Sequence, residues 1–144
     1  MKSLSKEGEL SKYGILHFAC HGYFDRSLAE MSSVLFSEVS GKLGDSSADD
    51  GYLTIGEAAV LNLNADIVCF SACETGLGEV KAGDGIVGLC RAFMVAGAKH
   101  VGASLWCVDD EATARFMASM YKKVKKGADY VTAYQKTVEN MTQW

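Results

Sequence analysis

Apolar residues fall along this chain in short runs separated by polar, glycine-rich stretches. Residues 3–12 have the pattern of a short helix. GILHFA (14–19) reads as a buried strand, and SVLFSEV (33–39) as a second strand. The segment GKLGDSSADDGY (41–52) is a polar loop. Thr54 then opens a helix that runs to about Leu61, with Glu57 placed three residues on to complete a capping box. ADIVCFSA (65–72) is almost continuously apolar, as expected of a strand covered on both faces. ETGLGEVKAG (74–83) is a glycine-rich loop. Helical spacing extends from Gly85 to Ala96, and Gly97 is a stop signal. HVGASLW (100–106) is the next buried strand. From Asp110 a helix presents Phe116, Met117, Met120, Tyr121 and Val124 on one stripe, and a last helix starts near Ala128.

Strands alternating with helices predict an α/β fold built on a parallel sheet. Such sheets bind their ligands at the carboxyl ends of the strands. Three strand ends therefore meet at one rim, after Ala19, Ala72 and Trp106. They carry CHGYFD, CETG and CVDD.

Composition narrows the picture. The 144 residues can bury a real core, and 49% hydrophobic with 22% charged residues is a globular balance. A net charge of −4 argues against a nucleic-acid partner. The one basic cluster, KKVKK (122–126), precedes Gly127, where cations offset a helix dipole. No apolar run approaches the roughly 18 residues of a membrane span, and the polar N-terminus does not resemble a signal peptide. The five cysteines are odd in number and form no CxxC. That usage favours free thiols and a cytoplasmic setting.

Geometry sorts the candidate chemical groups. His17 and His21 mimic an HxxxH metal pair, but four residues of strand span roughly 13 Å, too far to share an ion. No metal and no cofactor is expected, and His17 reads as a satisfied core or half-buried histidine. His21 falls at the rim, directly before Gly22. His100 begins its strand and belongs at the opposite rim. Cys69 lies deep in the sheet, Cys90 packs in a helix, and Cys20 faces away from His21. Cys73 and Cys107 are the rim thiols. Cys73 has the stronger setting, at a strand end before a glycine-rich loop and facing a rim histidine. A thiolate there is a nucleophile, and an imidazole takes its proton. The backbone N–H groups of Gly22 and Cys73 are natural donors to an oxyanion. GDGIVG (83–88) matches a dinucleotide fingerprint, with Asp109 about 20 residues on. The match fails upstream, where about ten residues separate it from the preceding strand.

Together these residues resemble the CHAT family of caspase-like cysteine peptidases. The matching segments are LHFACHGYFD (16–25), IVCFSACETGLG (67–78), GDGIVGLCRAFMVAGAKHVGASLWCVDDEAT (83–113) and MYKKVKKG (120–127). The resemblance implies a caspase-like three-layer α/β sandwich with a mostly parallel sheet. It implies a catalytic His21, a nucleophilic Cys73 and an oxyanion hole from Gly22 and Cys73. The segment holding Ser104, Trp106 and Asp109 would border the substrate groove. Trp106 could equally be core, and Asp109 and Asp110 could be an N-cap and a first-turn acid; Glu74, Asp84, Asp109 or Asp110 could also form an acidic pocket for Lys or Arg. Cys107 stands where relatives commonly have proline, and Asp84 where glutamate is common. The family fold places further strands before its histidine strand, so residues 1–144 are expected to form one domain equivalent to the C-terminal, dyad-bearing part. Relatives are regulated bacterial proteases of signalling or defence, often linked to TPR or other sensor modules. The expected partners are a protein or peptide substrate and such modules, with no nucleic acid and no membrane. A catalytically silent binding or scaffold module on the same fold is the alternative.

Overall fold

The computed structural model describes residues 1–23, 31–36, 50–71, 82–104 and 108–141, residues 82–84 by their backbone alone. The chain divides into two compact units, Met1–Cys107 and Val108–Trp144.

The first unit is an α/β structure around a parallel sheet of β1 (Ile15–Phe18), β5 (Ile67–Phe70) and β6 (His100–Ala103), in the order β1-β5-β6. The register pairs Ile15 with Ile67 and Phe18 with Phe70, then Ile67 with His100 and Phe70 with Ala103. All four residues of β5 are buried, as its unbroken apolar run predicts for a central strand. The flanking strands differ from expectation. Ile15 is 41% exposed, and β6 is only half-buried. Both strands are edges of this sheet among the described residues, and an edge strand has one neighbour fewer to cover it.

Within the expected strand 33–39, a shorter strand is present, and it lies outside the parallel sheet. Ser33–Leu35 forms β3, the middle of a separate antiparallel sheet between β2 (Gly22–Tyr23) and β4 (Tyr52–Thr54). Residues 37–49, which hold most of the expected polar loop, lie outside the described residues. The loop ends earlier than expected, because Tyr52 already pairs with Leu35. Just before it, Asp50 is 1% exposed and accepts from Lys2 Nζ at 3.2 Å and from the Tyr52 N–H at 3.0 Å. Lys2 reaches Glu57 as well, at 2.6 Å, so it anchors the N-terminal helix α1 (Lys2–Lys6). The expected helix over 3–12 is broken by Gly8, whose φ of 74° is left-handed; a 3₁₀ turn at Leu10–Lys12 follows.

Helix α2 (Ile55–Ala59) begins with the predicted capping box. Thr54 accepts from the Glu57 N–H, and Glu57 accepts from the Thr54 N–H. Helix α3 (Ala82–Val95) begins three residues before the expected Gly85, so the glycines of GDGIVG lie inside a helix and not in a turn after a strand. The fingerprint thus lacks the local geometry that binds a pyrophosphate. Gly88 instead permits close packing, since a Cβ there would lie 2.9 Å from Ile55 Cδ1. Ile86, Leu89, Phe93 and Ala96 recur at helical spacing and are buried. Phe93 packs on Phe18 (centroids 5.4 Å apart) and Phe70 (5.1 Å), which also stack on each other at 5.1 Å. This aromatic cluster fixes the carboxyl ends of β1 and β5 together. Val34 and Leu53 of the small sheet join the same core.

In the second unit, α4 (Asp110–Lys125) and α5 (Tyr130–Met141) pack as a helical hairpin. Asp109 caps α4 by accepting from the Ala112 N–H at 2.8 Å. Lys122, Lys123 and Lys125 occupy the last turn of α4, where they offset its dipole. Lys123 also donates to Ser119 and to the buried Thr137 of α5, a structural use of the basic cluster. Phe116 meets Tyr134 edge to face at 5.6 Å.

Candidate active site

Parallel pairing places the ends of β1, β5 and β6 side by side at Phe18, Phe70 and Ala103. His100 sits at the other end of the sheet, opposite Ile67, as predicted. His21 and Cys73 each lie three residues beyond the Phe18–Phe70 pair (18 + 3 and 70 + 3). Cys73 itself, with Glu74, Trp106 and Cys107, falls outside the described residues, and so does the side chain of Asp84.

After β1 the chain passes through Ala19 and Cys20 into the small sheet. The Leu35 N–H donates to the His21 carbonyl at 2.8 Å, and Gly22 pairs with Val34. The histidine backbone is therefore held by β3 while its side chain is exposed. Antiparallel ladders alternate between hydrogen-bonded and non-hydrogen-bonded pairs. Since the bonded position is His21–Leu35, Gly22 occupies the non-bonded position, with its N–H directed away from β3. Gly22 is buried, so a donor at that edge is shielded from bulk water on part of its surface.

Ser71, one residue past β5, is held twice by β1. Its N–H donates to the Phe18 carbonyl at 2.9 Å, and its Oγ lies 2.8 Å from His17 Nε2. His17 is thus a satisfied histidine, as expected, but an exposed one and not part of the core. Partial burial pushes its pKa below the ordinary value. Sequence reasoning missed this pair. Its only signal was a serine closing an apolar run and a histidine within another.

The described thiols are poor nucleophiles. Cys69 is 1% exposed in the middle of β5, and burial pushes the Cys20 and Cys90 thiols up, away from thiolate formation. Ser104 is half-buried directly after β6, whereas Asp109 belongs to the second unit as the cap of α4. Among the described residues no three His, Cys, Asp or Glu side chains gather as a metal site, and no helix is long and apolar enough to cross a membrane.

A family model described as "CHAT domain" matches residues 1–143. The chain belongs to the CHAT domain family. That family is associated with caspase-like cysteine peptidases, and the parallel sheet with its α/β order agrees with their fold. This CHAT chain is also similar to tetratricopeptide repeat protein 28 of Mus musculus, with 36% identity over 75 residues. The similarity covers 52% of the chain and 3% of that much longer relative.

Proposed function

We propose that this CHAT domain is a cysteine endopeptidase that hydrolyses peptide bonds with a His21/Cys73 dyad. The observation that supports the reading is the register of β1 on β5: Phe18 pairs with Phe70 as one buried aromatic pair, and in the sequence His21 and Cys73 each follow that pair by three residues. In the proposed reaction His21 takes the proton of the Cys73 thiol, and the sulfur attacks the substrate carbonyl carbon. The carbonyl π electrons move to oxygen, where the Gly22 and Cys73 N–H groups stabilise the oxyanion. Collapse breaks the C–N bond, and His21 gives its proton to the leaving amine. Water, deprotonated by His21, then hydrolyses the thioester and restores the thiol. The outward direction of the Gly22 N–H supports its share of the oxyanion hole.

Ser104 and Trp106 are proposed to border the groove for the acyl side of the substrate. Asp109 already serves α4 as its cap, which accounts for that carboxylate without a substrate. The similarity to a protein named for tetratricopeptide repeats supports control by such modules within a larger protein. The test is cleavage of a protein substrate identified by comparing fragments generated by the parent and by Cys73→Ala. Parent cleavage should be lost in Cys73→Ala and fall by about 10²-fold or more in His21→Ala. A Cys73→Ala protein that cleaves as fast as the parent overturns the proposal.

A further inference from the structure

The sequence holds a second histidine four residues before His21, and the dyad gives it no task. His17 reaches across from β1 to Ser71, which precedes Cys73 by two residues. The regular β1–β5 ladder ends at Phe18–Phe70. Ser71 lies one step beyond it, where a strand end would ordinarily fray, yet it is bonded twice. Its backbone is held by Phe18 and its side chain by His17, two consecutive residues of one strand. The two bonds approach from the backbone and from the side chain, so they restrain both the position and the rotation of this residue.

We propose that His17 is a positioning residue for the nucleophile. Its Nε2–Ser71 Oγ hydrogen bond fixes the exit of β5, and so the start of the peptide that leads to Cys73. This inference rests on the dyad reading. Partial burial favours the neutral imidazole, which keeps one ring nitrogen as a donor and the other as an acceptor. Either tautomer can bond the Ser71 hydroxyl, which both donates and accepts. The neighbouring positions across the sheet from His17 are Cys69 and then Gly102, both small residues.

The experiment uses the whole chain and four variants: His17→Ala, Ser71→Ala, the double variant, and His17→Gln. Three quantities are read for each: the alkylation rate of Cys73 by a small electrophile, kcat and KM for a cleaved peptide, and the urea midpoint. A hydrogen bond of ordinary strength predicts a loss of about three- to tenfold in kcat and in alkylation rate for each single alanine variant, with KM within about twofold. The double variant should be no slower than the slower single one, because both remove the same bond. Glutamine, whose amide can still meet the serine hydroxyl, should recover most of the rate. Losses that multiply in the double variant, unchanged rates, or losses no larger than the fall in folded fraction overturn the proposal. If the parent shows no His21-dependent alkylation at Cys73, the dyad fails and this inference fails with it. If the parent shows that dependence while His17→Ala leaves it intact, only this inference fails.

Discussion

Phe93 should be the side chain whose loss most directly loosens the platform beneath the site. It is fully buried and touches Phe18 and Phe70, which end the two strands that lead to His21 and Cys73. Replacing it by alanine removes a whole ring from a position with no solvent on any side. Such truncations cost about 3–5 kcal/mol, because the lost transfer energy is joined by that of the cavity. Two aromatic contacts, each worth about 0.5–1.5 kcal/mol beyond burial, place this site toward the upper half of that range. With an m-value of about 2 kcal/mol/M in urea, a loss of about 4 kcal/mol lowers the midpoint by about 2 M. The assay follows labelling of Cys69 against urea concentration, since that thiol is buried in the central strand and reports on the first unit by itself. Val95→Ala is the control. That side chain is 76% exposed on the same helix, and its loss should stay within about 0.5 kcal/mol. A Phe93→Ala change of less than about 1 kcal/mol would refute the claim that the aromatic cluster holds the strand ends together.

Three further outcomes are expected. Thr54→Ala removes half of the capping box on α2 and should cost about 0.5–2 kcal/mol in urea unfolding, while Thr54→Ser should restore nearly all of it; equal loss in both would contradict the capping role. Gly97→Ala should destabilise far more than Gly127→Ala. Both glycines have positive φ (116° and 97°), but only at Gly97 would the new Cβ meet the Leu63 backbone, whereas Gly127 has open space around it; similar urea midpoints for the two variants would count against that steric account. His17 should make stability depend on pH in a known direction. Its folded pKa lies below the ordinary value of about 6.5, so the unfolded chain binds more protons just below that pH. Its contribution is present above about pH 6.5 and is lost as pH falls through the lower folded pKa. The drop in urea midpoint between pH 7.5 and 5.5 should be smaller in His17→Gln than in the parent, and an identical drop would contradict the assignment.

The fold was most legible where local pattern and final environment coincide. The unbroken apolar run at 67–70 announced a strand buried on both faces, and Thr54 with Glu57 announced a helix start through bonds made within four residues. It was least legible where long-range pairing decides. Gly22–Tyr23 and Ser33–Leu35 are too short to show a period, and only their antiparallel register makes them a sheet. Nor does periodicity tell a central strand from an edge, so β1 and β6 read as more buried than they are. Gly83 looks like the end of a glycine-rich loop, yet it falls within the first turn of α3.

The site divides along the same line. Parallel topology alone brings the ends of β1, β5 and β6 to one rim and sends His100 to the other, and the observed registers agree. Asp109 as a helix cap was legible from its place before Asp110 and Glu111. The His17–Ser71 bond was not. It joins residues 54 positions apart through a register that the sequence does not display.

The most direct measurement of the central claim is peptide mapping after a limiting dose of a thiol-directed peptidyl electrophile, comparing the parent with His21→Ala. An assembled dyad predicts selective labelling of Cys73 in the parent, with a rate that falls roughly tenfold or more without His21. Equal labelling of Cys73 and Cys107, insensitive to His21, would contradict it.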